Sequence, residues 1–379
     1  MKNKIKKKPI WFGLILLGLF ICILNLLHDH LSGKRPAYGA LNKIGIAEGV
    51  ILVIVGSILL LFEKCSFYQK RFFSAKIYFW EAFLLSTPLV CLAIFLSLWL
   101  KGTLQSDTST PWSIGIYRCS SIEPFDFTEE GINNPVLTAI DITDTKASFV
   151  ADPFLIVEGG NYYMFFEVFN SRTRQGDIGL AVSTDGIIWN YKQIIMDEPF
   201  HLAYPCVFKW GKEYYMLIAG RYYRALNFPI EWNLAKILNI GKAVKDATIF
   251  SYQNKWFLFS ATEKRDGLQL HYAEMPLGPW LEHPKSPVVF GDANKAAPAG
   301  PVILFDNRIV RYAQDVTPYY GNQVWAFEIT GLTPENYQER QIGRKPILKG
   351  CDNWNTRGMH QISPVRIKVN QWIAAVDGY

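Results

Sequence analysis

The sequence predicts an all-β protein, a five-bladed β-propeller preceded by three transmembrane α-helices. Three observations predict it. Apolar residues crowd into three long runs before residue 101; from residue 112 on, short aromatic-rich runs alternate with Gly, Asn and Asp turns; and those runs recur at the ~40 to ~60 residue spacing of a four-stranded blade.

The apolar runs span 10–27, 44–62 and 77–100. Each reaches the ~18 residues that cross a ~30 Å hydrocarbon layer as a helix, with every backbone group satisfied internally. Lys2, Lys4, Lys6, Lys7 and Lys8 precede the first run, and Lys64, Lys70, Arg71 and Lys76 follow the second, against Lys34, Arg35 and Lys43 between them. By the positive-inside bias the N-terminus is cytoplasmic, and the chain beyond Lys101 lies on the periplasmic, extracellular or lumenal side. The first run lacks the small-residue cleavage site of a signal peptide. Residues 1–101 are thus expected to form a membrane anchor and 102–110 a polar linker. The net charge of +6 comes mostly from the basic tail and loops and suits anionic lipid headgroups. No basic, aromatic-interleaved patch points to nucleic acid.

From 111 to 379 five segments begin alike, with a small or polar residue before apolar ones: ADPFLI at 151, AYPCVF at 203, KDATIF at 245, PAGPVI at 298 and HQISPV at 360. Each is followed by a second, aromatic-rich strand, as in GNYYMFFEVF at 160 or QNKWFLFSAT at 253. Four have a third strand ending in a turn and an aromatic; the last has none before Tyr379. The segment WSIGIYRCSSIEPFDF at 112 fits the missing third strand, and PVLTAID at 135 a fourth, so strands within 112–141 should close the last blade and leave no open sheet edge.

In a blade the start of strand one and the end of strand two share a rim, and polar residues there converge on the central funnel. The starts contribute Asp152, Tyr204, Asp246 and His360; the ends contribute Glu167, Glu263, Gln314, Asp315 and Asp377, with Arg311 further back on its strand. Carboxylates that accept from hydroxyls or serve as acid and base, beside aromatic faces that stack on sugar rings, make a carbohydrate site. The plainer role for Asp152 and Asp246 is turn formation, for Glu263 a solvated charge and for His360 a satisfied rim histidine. No Cys or His cluster has zinc spacing, and no cofactor is expected, although an all-oxygen cluster in the funnel would also suit Ca2+. Cys119, Cys206 and Cys351 permit at most one disulfide in the outer domain.

The run SFVADPFLIVEGGNYYMFFEVFN, with GDIGLAVSTDGIIW, DEPFHLAYPCVF, MHQISP and AVDGY, resembles the N-terminal domain of plant glucosamine inositolphosphorylceramide transferases and their bacterial relatives over Trp112 to Tyr379. That domain is similar in turn to the five-bladed arabinanase and β-fructosidase superfamily. The resemblance implies Asp152 as general base or nucleophile and Asp246 as the partner that tunes its pKa. It implies no general acid, because blade four opens with Ala297, Pro298, Ala299 and Gly300 where a Glu is expected. The sequence also lacks the Pro-Glu of the domain family after strand two of blade two, in MLIAGRYYRA. No glycosyltransferase domain follows the propeller, so transferase activity is not implied. The leading expectation is a membrane-anchored propeller that binds or processes carbohydrate or glycolipid. The alternatives are an inverting glycosidase, in which Glu167 or Asp315 would have to supply the missing acid, and a scaffold for an unidentified protein partner.

Overall fold

The computed structural model describes residues 111–379 except 122, 130, 242, 243, 352 and 353. The three apolar runs lie outside the described residues, among which no helix is long and apolar enough to cross a membrane. The chain divides after Thr108, and the unit that follows is a ring of five antiparallel sheets.

Blade 1 is Ala147–Glu158, Asn161–Asn170, Gln175–Ser183 and Asn190–Met196, paired in sequence order. Blade 2 repeats the meander with Cys206–Trp210, Glu213–Ile218, Arg221–Asn227 and Glu231–Ile237. Lys245–Tyr252, Lys255–Ala261 and Gly267–Ala273 begin blade 3, whose outer edge is two short pieces, Leu281–Glu282 and Val289–Phe290. In blade 4 the inner strand is split into Ala297–Pro298 and Ile303–Phe305 around Gly300, ahead of Arg308–Asp315 and Gln323–Leu332. Blade 5 runs Ile362–Lys368 and Gln371–Gly378, and its third strand is Ser113–Cys119, pairing Ser113 with Gly378 through Cys119 with Trp372.

Alternation along these strands sends apolar side chains to both faces of each blade, where they pack against the next blade. Phe154 of blade 1 packs with Tyr204 and Leu217 of blade 2, and Phe250 and Phe259 of blade 3 with Ile309 and Ile329 of blade 4. Such burial, worth about 25 cal/mol per Å2 of apolar area, is what holds the ring.

One element differs from expectation. The 135–141 segment forms no fourth strand; Leu137 makes a single bridge to Ile114, and the chain then turns through a 3-10 helix at Ala139–Asp141. Val136 and Leu137 bond the Ile114 backbone, and beyond them Thr138 and Asp141 form a reciprocal capping box that satisfies the local amides, so the pairing goes no further.

Candidate functional site

Three consecutive blades begin with a non-glycine residue in the left-handed region: Asp152 at φ 53°, Tyr204 at 57° and Asp246 at 50°. Side-chain crowding makes that conformation costly, about 1–3 kcal/mol each, and it gathers where structure over-determines function. At the matching place in blade 4 stands Gly300, φ 131°, where a Cβ would lie 1.9 Å from the Ile362 carbonyl oxygen. Only glycine admits blade 5 this close to the axis.

The left-handed turns aim backbone amides and carboxylates at one another across blades. The Asp152 amide donates to Asp377 Oδ2 at 2.9 Å, and the Tyr204 amide donates to Asp152 Oδ2 at 3.0 Å. Asp377 Oδ1 accepts from the amides of His360 (3.2 Å) and Gln361 (2.9 Å) and from His360 Nδ1 at 2.8 Å. His360 Nε2 then faces Asp152 Oδ1 at 3.3 Å. The result is a buried Asp–His–Asp row joining blades 1 and 5. Burial pushes the Asp152 carboxyl up, the His360 charge pulls it down, and the Asp377 and Asp246 charges push it up further, to about 7. Burial pulls the His360 imidazole down, but Asp377, by charge and hydrogen bond, and then Asp152 and Asp246 outweigh it, so its pKa is raised.

Asp246 is clamped by Arg265 Nε at 2.8 Å and Nη2 at 3.3 Å, and Gln314 Nε2 approaches at 3.4 Å. The Arg265 guanidinium lies 5.3 Å from the Tyr320 ring centre. Tyr320 meets His360 edge-on at 5.1 Å, and the Trp112 ring packs on both His360 (4.2 Å) and Tyr379 (4.1 Å). Trp112, Tyr320 and Tyr379 thus build an aromatic wall beside the polar row, from the first and last residues of the propeller and one turn of blade 4.

Glu167 sits opposite Ala151 in the ladder, on the same rim. Burial, then the charges of Asp152, Asp377 and Asp246, raise its pKa well above the usual carboxylate range. The Gly176 amide donates to His201 Nδ1, which leaves the Nε2 proton facing Glu167 Oε1 at 3.5 Å.

The structure therefore brings Asp152, Asp246, Glu167, Gln314, His360 and Asp377 to one rim. Tyr204 contributes its amide only, because its hydroxyl is buried against Thr248 and both backbone groups of Gly300. Three expected residues are engaged away from the Asp152–His360 row. Arg311 is buried in an ion pair with Glu339 and donates to the Lys295 carbonyl oxygen, turned from the axis toward the outer strands. Asp315 holds the 316–322 turn, accepting from the Thr317 amide and from Asn322 and Gln323. Glu263 is an exposed charge paired with Lys245 at 3.4 Å. The sequence reading did not reach Arg265, Tyr320, Trp112, Gln361 or His201. Only Trp112 and Tyr379, at the two ends of the repeat, carried a signal that could have marked them.

Asp152, His360 and Asp377 offer ligand atoms within 4.8 Å of one another. Ca2+ takes roughly six to eight oxygens; in this trio one donor is a nitrogen, and Asp377 already accepts four hydrogen bonds. The trio does not fit Ca2+. Cys119, Cys206 and Cys351 are free thiols.

Among solved structures, the catalytic domain of a family 62 α-L-arabinofuranosidase from Coprinopsis cinerea matches at 12% identity and TM-score 0.49, covering 69% of this chain and 96% of that one. A family 117 glycoside hydrolase from Zobellia galactanivorans matches at 14% and TM-score 0.45, covering 71% and 90%. In sequence, glucosamine inositolphosphorylceramide transferase 1 of Oryza sativa subsp. indica is 36% identical over 301 residues, and that of Arabidopsis thaliana 32% over 303. Each alignment covers 72% of this chain, which spans 40% of the length of these relatives. The model of the family described as glucosamine inositolphosphorylceramide transferase 1, N-terminal, matches residues 104–379. With that match over most of its length, the chain belongs to the glucosamine inositolphosphorylceramide transferase N-terminal domain family.

Proposed function

We propose that the funnel binds carbohydrate, free or as the head of a glycolipid, on a protein anchored in a membrane by residues 1–101, with the propeller outside the cytoplasm. The observation that carries it is the aromatic wall of Trp112, Tyr320 and Tyr379 standing beside the Asp152–His360 row, a stacking face next to groups that can both donate to and accept from hydroxyls. Two buried polar atoms at the same end of the ring, Gln314 Oε1 and Gln361 Nε2, have no protein partner and would suit hydroxyls. The name of the relatives, which joins a sugar to a lipid, agrees with this reading.

Binding does not require cleavage. Asp152 would position a hydroxyl, Arg265 would hold Asp246 rigid and the rings would exclude water. A glycan panel applied to the detergent-solubilised chain tests this. Binding to some glycan, weakened by Asp152→Ala, is expected; a panel without a binder refutes it.

Hydrolysis is the second reading, and one observation favours it. Glu167, opposite Ala151 and with its pKa raised by burial and by the neighbouring carboxylates, would donate to a leaving group while Asp152 acts as base, in place of the carboxyl that blade 4 lacks. Turnover of an aryl glycoside that disappears in Glu167→Gln would support it, and no turnover in the wild type would remove it.

A further inference from the structure

A second group of carboxylates lies on the outer strands of blade 1. Asp177 stands near the start of the third strand, and the register that pairs Ile178 with Met196 sets Asp197, the first residue past the fourth strand, beside it. Asp177 is only 2% exposed, whereas Asp197 is open to solvent. Asn170 Oδ1 accepts from the Arg172 amide at 3.0 Å, which turns the Asn170 side-chain nitrogen to Asp177 Oδ2 at 2.9 Å. The other oxygen, Asp177 Oδ1, is buried and has no donor. Asp197 comes within hydrogen-bonding reach of the Asp177 carboxyl, but its carboxylate is an acceptor too. Asp144 adds a third charge nearby, its own oxygens accepting from the Tyr191 hydroxyl at 2.5 Å and the Ile194 amide at 2.7 Å.

Among the described residues no Lys, Arg or His side chain pairs with any of these three acids. A buried carboxylate oxygen without a donor is costly, and like charges beside it add to the cost. Burial pushes the Asp177 carboxyl up, the Asn170 hydrogen bond pulls it down, and Asp197, by charge and contact, and Asp144 push it up again. One proton shared between Asp177 and Asp197 cancels one charge of the three. A divalent cation cancels two, meets oxygen donors only and can enter from the solvent side at Asp197.

The pair also brackets a segment of the funnel rim. Asp177 follows Gly176, whose amide donates to His201 Nδ1 and whose carbonyl oxygen accepts from the Leu202 amide. Asp197 begins the 197–202 segment, which carries His201 to Glu167.

We propose that Asp177 Oδ1 and the Asp197 carboxylate hold a hydrated divalent cation of the Mg2+ or Ca2+ type, which ties the start of the 197–202 segment to the strand that already holds its end and so fixes His201 beside Glu167. One or two carboxylates with several waters is the way Mg2+ is usually bound. Asp144 adds charge and no ligand atom. The site is separate from whatever the funnel binds.

The test is isothermal titration calorimetry and thermal unfolding of the detergent-solubilised full chain after EDTA treatment, with MgCl2 or CaCl2 as titrant. One cation should bind per chain, and at about 100 times its Kd it should raise Tm by about 5–10 °C. Asp177→Asn, and Asp197→Asn at the exposed position, should each weaken binding by about tenfold or more. Hydrogen exchange at the Leu202 amide should slow when the cation binds. No binding of either cation at about 10 mM, well above the weakest affinities of extracellular calcium modules, overturns the proposal. So does binding that survives Asp197→Asn, which would place the ion elsewhere. A Tm that ignores both cations, and falls with rising pH in wild type but not in Asp177→Asn, would put a shared proton in the cation's place. Unchanged exchange at Leu202 would overturn the link to His201.

Discussion

Replacing Asp152 by Asn should make the protein more heat-stable at alkaline pH than at acid pH, relative to wild type. The Asp152 carboxyl rises from 3.8 to about 7 on folding. Between about pH 4 and 7 the folded chain keeps a proton there that the unfolded chain has lost, so the contribution of this group to stability falls as pH rises through that window. Each pH unit within it is worth about 1.4 kcal/mol. From pH 5 to pH 8 about two units remain, and wild type should lose roughly 3 kcal/mol that the Asp152→Asn variant does not. Asn keeps an oxygen to accept from the Tyr204 amide, so the cross-blade hydrogen bond survives. His360 acts in the same direction: Asp152 is one of the groups that raise its pKa, and a raised histidine stabilises below its unfolded value and stops doing so as pH climbs through its folded one. At roughly 2–4 °C per kcal/mol for a domain of this size, the Tm difference between variant and wild type should grow by about 6–12 °C from pH 5 to pH 8. Thermal unfolding followed by circular dichroism measures it. A Tm difference equal at the two pH values, or a variant less stable at pH 8, would show that Asp152 is not a buried carboxyl under strain.

Other expectations follow from the same contacts. Glu167→Gln should likewise gain more stability at pH 8 than at pH 5, because burial raises Glu167 too; a flat difference would contradict it. Arg311→Ala leaves the largely buried Glu339 without its counter-charge, held by the Tyr337 hydroxyl, and should cost about 3 kcal/mol in chemical denaturation, whereas the double change Arg311→Met with Glu339→Leu should recover most of it. Gly300→Ala drives a Cβ against the Ile362 carbonyl oxygen and should lower stability by on the order of 3 kcal/mol or more, read as a lower Tm or loss of soluble protein.

The repeat was legible because each blade restates one rule, an inner strand opened by a small or polar residue and an aromatic second strand. The close of the ring was legible for the same reason, since Ser113–Cys119 carries the pattern of the strand that blade 5 lacks. The 135–141 segment was not, because Thr138 and Asp141 bond each other within one turn, a local choice that an apolar pattern does not show. Rim residues at blade starts, Asp152, Asp246 and His360, follow from topology alone. Arg311 misled because it is charged and near Gln314; residues three apart on a strand point to opposite faces, and that parity sends Arg311 to Glu339. Arg265 and Tyr320 were out of reach, as each acts from a turn whose path is set by packing against another blade. Positive φ at Asp152 and Tyr204 is likewise written in cross-blade hydrogen bonds and not in residue type.

The funnel wall and the Asp152–His360 row should together recognise a sugar. Saturation-transfer NMR on the detergent-solubilised chain, with a glycan that binds the wild type, tests it most directly when repeated on Trp112→Ala and on Lys212→Ala at the far rim. Loss of a stacking ring should weaken binding roughly 2- to 10-fold, and the far-rim change should leave it as it was. Binding that survives Trp112→Ala undiminished, or that fails with Lys212→Ala, would place the sugar somewhere other than this funnel.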